Sequence, residues 1–231
     1  MIPRIIHYCW FGKGQKPDLV AQCMASWHRF MPDWTYMEWN EDNFDIASAP
    51  LYVRQAYDAR KYAFVSDYVR LWALEQYGGV YMDVDFMVYK SFEPLLDCSQ
   101  KAFVGKEGSK YQPPMLGVMA SEPHGRWVTT MLHMYDQRVF VMPDGSYDMT
   151  TNVAYFSAAG VHKEEWVKIY PVTYFCPILT TGEDVRNENT YCEHKGLHSW
   201  SEGETWKEKI LSMVSPNMKI RLIKLKRRIF G

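Results

Sequence analysis

Two aspartates, Asp83 and Asp85, interrupt the apolar run "YGGVYMDVDFMVY" at residues 77–89. In extended chain, residues i and i+2 point to one side about 6.5–7 Å apart, and the residue between them points the other way. This spacing predicts that the two carboxylates face together and that Val84 faces the core. Carboxylates held so close repel, and a divalent cation beside them relieves the repulsion. Hard oxygen ligands suit magnesium or manganese, ions that commonly also hold substrate phosphates. With 13 aspartates in 231 residues, a DxD is expected by chance about 0.7 times, so the triplet alone says little. Its place says more. A chance DxD sits most often in a polar turn, whereas this one closes an apolar strand at the position where open α/β sheets bind ligands.

The elements that must position these residues can be read around them. "RIIHYCWFG" is a buried strand running into the glycine-bearing loop "FGKGQKP", a helix follows from about Asp18 to Phe30, and "TYMEWN" alternates as a second strand. Strand, helix, strand favours an α/β sheet. From about Arg54 to Tyr77 the chain reads as one helix, ended by Gly78 and Gly79 as a left-handed cap. Phe64, Tyr68, Leu71 and Trp72 share one face of it, and Asp67 and Arg70 lie on another. As a surface i, i+3 ion pair, Asp67 and Arg70 would contribute on the order of a few tenths of a kcal/mol. "VYMDVDFMVY" has the length and composition of a single strand. Beyond it, "KAFVGKE" and "PMLGVMAS" read as strands, "HGRWVTTMLHMYDQ" as a helix, and "KIYPVTYFCPI" as short paired edge strands broken by prolines. The whole is expected to form one domain with a decorated second half.

Composition excludes several classes. With 47% apolar residues and 9 Trp, 16 Tyr and 11 Phe, the chain can bury a sizeable core and is neither disordered nor fibrous. The five cysteines are widely spaced without a CxxC pair, so no zinc or redox motif is expected, and a reducing cytoplasm is the simplest compartment. The opening "MIPRIIHYCWFG" has too short an apolar run for a signal peptide or membrane span, so the mature chain is expected to start there. The last 14 residues, "MKIRLIKLKRRIFG", hold six basic groups and no acidic one. As a helix they would interleave Ile220, Leu222, Ile223, Leu225 and Ile229 with Lys and Arg, the make-up of a helix lying on an anionic membrane surface. A solvated basic tail or an RNA-attracting patch is the alternative reading of this segment, although no nucleic acid is expected as a partner of the protein.

The string "SDYVRLWALEQYGGVYMDVDF" at residues 66–86 resembles the signature of the DxD-type glycosyltransferases of family 32. That family includes bacterial capsular polysaccharide enzymes and yeast mannosyltransferases, and its core is similar to that of the large clostridial glucosylating toxins. The resemblance covers residues 2 to about 90, with a weaker echo at "HSW", residues 198–200. It implies an α/β fold of the GT-A type, with a mostly parallel central sheet flanked by helices. Residues 1–217 would be one catalytic domain, with 1–90 binding the nucleotide sugar and 91–217 forming the acceptor and closing half. The basic tail, residues 218–231, would follow it.

The resemblance further implies a retaining hexosyltransferase that needs Mn2+ or Mg2+. It would move a sugar from a nucleotide-diphosphate donor, a UDP-sugar rather than a GDP-sugar, to a glycan or lipid-linked acceptor in surface polysaccharide (capsule) biosynthesis. The place of work would be the cytoplasm or the inner face of the cytoplasmic membrane. By similarity, Asp85 ligates the metal bridging the donor phosphates and Asp83 contacts ribose and sugar hydroxyls. Asp67 binds sugar hydroxyls, Arg70 orients Asp67 or the donor, and Trp10 stacks on the base, a core tryptophan being its rival reading. In the C-terminal segment "CEHKGLHSWSEG", Ser199 and Trp200 match residues that close the donor site, and His198 is the candidate third metal ligand. His7 reads as structural. Glu183, Asp184 and Asn152 are weaker candidates for donor or acceptor contacts. Retention without a second carboxylate nucleophile implies front-face attack, the leaving phosphate taking the acceptor proton. Two other classes compete: a phosphohydrolase of the haloacid dehalogenase type, in which the first aspartate of a DxD attacks phosphorus, and a non-catalytic nucleotide-sugar-binding protein.

Overall fold

The computed structural model describes residues 1–109, 114–158 and 165–196. Its centre is a six-stranded sheet ordered β2-β1-β3-β6-β5-β7, built from β1 (Ile5–Cys9), β2 (Thr35–Trp39), β3 (Gly79–Met82), β5 (Ala102–Lys106), β6 (Pro114–Ser121) and β7 (Lys168–Tyr170). β1 runs parallel to β2 and β3, β5 runs parallel to β7, and β6 is antiparallel to both of its neighbours. The sheet is therefore mostly parallel, as expected, with one reversed strand. A second, two-stranded antiparallel sheet joins β4 (Phe86–Val88) to β8 (Cys192–His194).

Period-two alternation divides the strand side chains between two cores. Cys9, Trp39, Tyr81, Val104 and Met119 pack with α2 (Leu51–Asp58), α3 (Tyr62–Tyr77) and α4 (Arg126–His133). Ile6, Tyr8, Val80, Met82 and Phe103 pack on the other face with α1 (Asp18–Phe30), the small sheet and α6 (Val172–Phe175). Trp27 of α1 is fully buried there, and its Nε1–H donates to the Phe86 carbonyl at 2.6 Å. Burial of so large a ring would be costly with its N–H unmet, so this bond ties α1 to β4 and seats the small sheet.

Three expectations about local structure are corrected. The helix expected over Arg54–Tyr77 is two helices, α2 and α3, broken where Arg60 takes φ +56°. Left-handed backbone in a side-chain-bearing residue ends a helix. The single strand expected for "VYMDVDFMVY" is two strands in different sheets, because Phe86 N–H turns back onto the Asp83 carbonyl at 3.3 Å. Asp83 and Asp85 thus sit in a turn rather than in extended chain, while Val84 between them is buried as expected. Finally, the stretch expected as paired edge strands is the edge strand β7 followed by the helix α6. Pro171, with φ −56°, stands at its N-cap, where a missing N–H costs nothing.

Gly78 and Gly79 have φ +62° and +104°. The ψ of −167° at Gly78 is not that of a left-handed helical cap. The pair drops the chain straight from α3 into β3, and a Cβ on Gly79 would lie 2.7 Å from the Ile5 carbonyl oxygen. Among the described residues, no helix is long and apolar enough to cross a membrane.

Candidate active site

The charged residues gather where β3 ends. Arg70 of α3 reaches under the sheet end. Its Nη1 donates to the Leu116 carbonyl at 2.9 Å, and its Nη2 lies 3.3 Å from Asp67 Oδ1 and 3.4 Å from Asp83 Oδ1. The guanidinium stands 4.6 Å from the centre of the Tyr81 ring, and the Tyr81 hydroxyl donates to Asp83 Oδ1 at 2.8 Å. Only 10% of the Arg70 side chain is exposed. Asp67 and Arg70 are therefore part of a buried network and not a solvated surface pair. Burial works against the arginine charge, and Asp83, Tyr81 and Asp67 outweigh it to push its pKa up. Burial raises the carboxyl pKa values of Asp67 and Asp83 while Arg70 pulls both down. The charge of Asp85 raises Asp83 further, as two neighbouring carboxylates must.

Asp85 is buried, with Oδ2 3.2 Å from His194 Nε2. The imidazole lies flat on the Phe86 ring, centroids 4.7 Å apart, because β4 and β8 pair Phe86 with His194. Desolvation lowers the His194 pKa, but the hydrogen bond and charge of Asp85 dominate and raise it. Glu107, just past the end of β5, is a fourth carboxyl near this cluster: burial raises its pKa, the charge of His194 lowers it and that of Asp83 raises it.

The carboxylates of Asp83 and Asp85 are hard oxygen donors of the type that suits Mg2+ or Mn2+, and His194 stands beside them as the hydrogen-bond partner of Asp85. Among the described residues, no three His, Cys, Asp or Glu side chains converge as a preformed cage. An ion of this class keeps water and takes substrate phosphate oxygens beside one or two carboxylates. Asp83 and Asp85 are the residues that would hold it. His198, Ser199 and Trp200, like the tail at 218–231, lie outside the described residues.

Trp10 follows β1, with its ring partly exposed and Nε1 donating to the Gly14 carbonyl at 2.7 Å. Lys16 Nζ stands 5.9 Å from the ring centre. His7 is fully buried on the opposite strand face. It accepts Trp39 Nε1–H at Nδ1 (3.1 Å), so Nε2 carries the proton donated to the Gly78 carbonyl (2.8 Å). Burial lowers its pKa to about 4, against the opposing bond to Gly78. Glu183 and Asp184 lie on an exposed turn, where Leu179 N–H bonds the Glu183 carbonyl and Arg186 pairs with Asp184. The structure does not bring them to Asp83. It does bring Asn152, at the start of α5 (Asn152–Ala158), whose backbone N–H lies 3.3 Å from Asp67 Oδ2.

Residues 17–102 match the family model described as a glycosyltransferase sugar-binding region containing the DXD motif. The matched segment, less than half of the chain, is similar to such a region. It contains Asp67, Arg70, Asp83 and Asp85, so the resemblance carried by residues 66–86 holds. Over 99 residues the chain is 31% identical to inositol phosphoceramide mannosyltransferase 3 of Schizosaccharomyces pombe (strain 972 / ATCC 24843), a match spanning 41% of this chain and 27% of that protein. Among solved structures, a glycosyltransferase involved in the glycosylation of the major capsid of PBCV-1 is 10% identical, with a TM-score of 0.50, covering 92% of this chain and 100% of that one. PaToxG glycosyltransferase is 16% identical with a TM-score of 0.47, covering 71% and 73%. The likeness to the capsid glycosyltransferase is one of fold, an α/β fold of the GT-A type.

Sequence reasoning missed His194 as the partner of Asp85; the metal-ligand expectation for His198 is a separate one that lies outside the described residues. The signal for Tyr81 was present, since it precedes Asp83 by two positions. The signal for His194 was not, because it depends on β8 pairing with β4 across more than a hundred residues.

Proposed function

We propose that this protein is a retaining glycosyltransferase that moves a hexose from a nucleotide-diphosphate donor, with UDP as the nucleotide, to a glycan or lipid-linked acceptor in surface polysaccharide biosynthesis. One observation carries the reading: Arg70, almost fully buried, bridges Asp67 to Asp83 immediately before Asp85. Burying an arginine between two carboxylates is costly unless the geometry serves something. Here it fixes two acceptor-only groups at the sheet end, aimed at sugar hydroxyls.

Asp67 binds hydroxyls of the donor hexose, and Asp83 binds ribose and hexose hydroxyls from its one-third exposed carboxylate. Tyr81, its phenol held protonated by burial, keeps Asp83 in place by donating to it. Trp10 offers its partly exposed face to the base. Asp83 and Asp85 would hold a divalent ion, which when bound would supply Lewis-acid stabilisation of the diphosphate leaving group. The acceptor hydroxyl attacks from the face the diphosphate leaves, and its proton passes to the leaving phosphate oxygen, so no protein base is needed. In this reading residues 1–90 bind the donor, residues 91–217 hold the acceptor, and the basic tail draws the protein to the anionic inner surface of the cytoplasmic membrane.

The experiment is a donor panel: UDP-glucose, UDP-galactose, UDP-N-acetylglucosamine and GDP-mannose with Mn2+, followed by release of the free nucleoside diphosphate. Release from one of the UDP-sugars, absent with EDTA, is expected. No release and no metal-dependent binding with any donor would leave at most a binding protein, and phosphate release from simple phosphomonoesters would favour the phosphohydrolase.

A further inference from the structure

The network at Asp67 does not stop at the DXD region. Asn152 is buried at 2% exposure and meets Asp67 twice: its backbone N–H lies 3.3 Å from Oδ2, and its Nδ2 donates to the Asp67 carbonyl at 2.5 Å. Its Oδ1 accepts from the Tyr135 hydroxyl, also at 2.5 Å. Tyr135 is equally buried, wedged edge-on against Tyr52 and Tyr68 with ring centroids 5.2 Å away in each case, and the Arg138 guanidinium is 4.8 Å from its ring. A continuous chain of polar contacts therefore runs Tyr135, Asn152, Asp67, Arg70, Asp83.

The direction of the bonds matters. The Asp67 carbonyl can only accept, so the Asn152 NH2 turns toward it, and Oδ1 is left to accept from the Tyr135 hydroxyl. Without that hydroxyl the buried Oδ1 of Asn152 loses the donor that pins its side chain. We infer that Tyr135, acting through Asn152, is a positioning residue for Asp67: it pins Asn152, whose side-chain amide holds the Asp67 backbone and whose own N–H meets the hexose-binding carboxylate. Neither residue lies in the DXD region at 17–102, and neither is assigned contact with substrate here. The inference rests on the transferase reading, because it concerns how the donor sugar is held.

The test compares wild type with Tyr135→Phe, which keeps the ring packing and removes only the hydroxyl, and with Asn152→Asp, which keeps the shape and replaces the NH2 donor by an oxygen. Two quantities are measured with Mn2+: kcat/KM for hydrolysis of the UDP-sugar that wild type uses, and the Kd for free UDP by calorimetry. Asp67 is placed on the hexose and not on the diphosphate. Both variants should therefore lose about 10- to 100-fold in kcat/KM with UDP affinity within about twofold of wild type. A general loosening of the fold would weaken UDP binding and turnover together, and that outcome overturns the inference. So does wild-type turnover in both variants. A wild-type protein that turns over no donor would instead defeat the transferase reading itself, and this inference with it.

Discussion

Arg70 Nη2 stands 3.3 Å from Asp67 Oδ1 and 3.4 Å from Asp83 Oδ1, so one guanidinium holds a helix carboxylate and a strand-end carboxylate together. Its Nη1 at the same time caps the Leu116 carbonyl of β6. The helix, β3 and the reversed strand β6 meet at this one side chain.

Arg70→Met removes the charge and keeps most of the stem. It leaves two buried carboxylates uncompensated, a change that typically costs about 3–5 kcal/mol. For a chain of this size that corresponds to a fall in Tm on the order of 10 °C. Arg70→Lys should recover little of it, because an ammonium cannot span two carboxylates and a carbonyl as the fork does. Calorimetry of the three proteins checks this, and a Lys variant as stable as wild type would contradict it.

Gly117 faces Asp83 across the strand pair. A Cβ there would lie 2.8 Å from Asp83 Oδ2, 3.0 Å from Phe86 Cε2 and 3.1 Å from Met115 Sδ. Gly117→Ala should therefore displace the Asp83 carboxylate and reduce donor turnover by about 10-fold or more, at a stability cost of about 1–3 kcal/mol. Turnover unchanged from wild type would show that Asp83 is not held where the reaction needs it.

His7 gives the fold a pH dependence of its own. Its folded pKa of about 4 lies below its ordinary 6.5, so the unfolded chain takes up the proton first on acidification. The stability it contributes is present in full above pH 6.5 and is lost as pH falls from 6.5 through 4, by about 3 kcal/mol in all. His7→Gln should lack this component. The difference in unfolding free energy between the two proteins should shrink from pH 7 to pH 4, and a constant difference would contradict the buried neutral histidine.

Deletion of residues 218–231 should weaken binding to vesicles of anionic lipid without lowering donor hydrolysis. Co-sedimentation checks this, since the six basic groups removed contribute about 1 kcal/mol each near an anionic surface. Equal vesicle binding before and after deletion would remove the membrane role.

Much of this arrangement was legible in the sequence because the signals were local. The helix from Asp18 to Phe30, the strands at Ile5–Cys9 and Thr35–Trp39, and the burial of Val84 all follow from periodicity and turn residues within a few positions. What could not be read depends on long-range contacts. The run "VYMDVDFMVY" looks like one strand because its apolar residues serve two sheets, β3 joining β6 and β4 joining β8. The Asp83 N–H bonds the Gly117 carbonyl and His194 bonds Asp85, pairings with no trace in local pattern. The Asp67–Arg70 spacing showed a pair but not its burial, since the β6 carbonyl that completes it is 46 residues away from Arg70.

Asp85 is where the account is most exposed. Asp85→Asn keeps the size of the side chain and an acceptor for His194 but removes the charge that holds a divalent ion. Mn2+-dependent release of nucleoside diphosphate from the preferred UDP-sugar should fall by at least about 100-fold, with Tm close to that of wild type. A variant that releases nucleoside diphosphate at the wild-type rate at ordinary Mn2+ concentrations would contradict the metal-assisted glycosyltransferase.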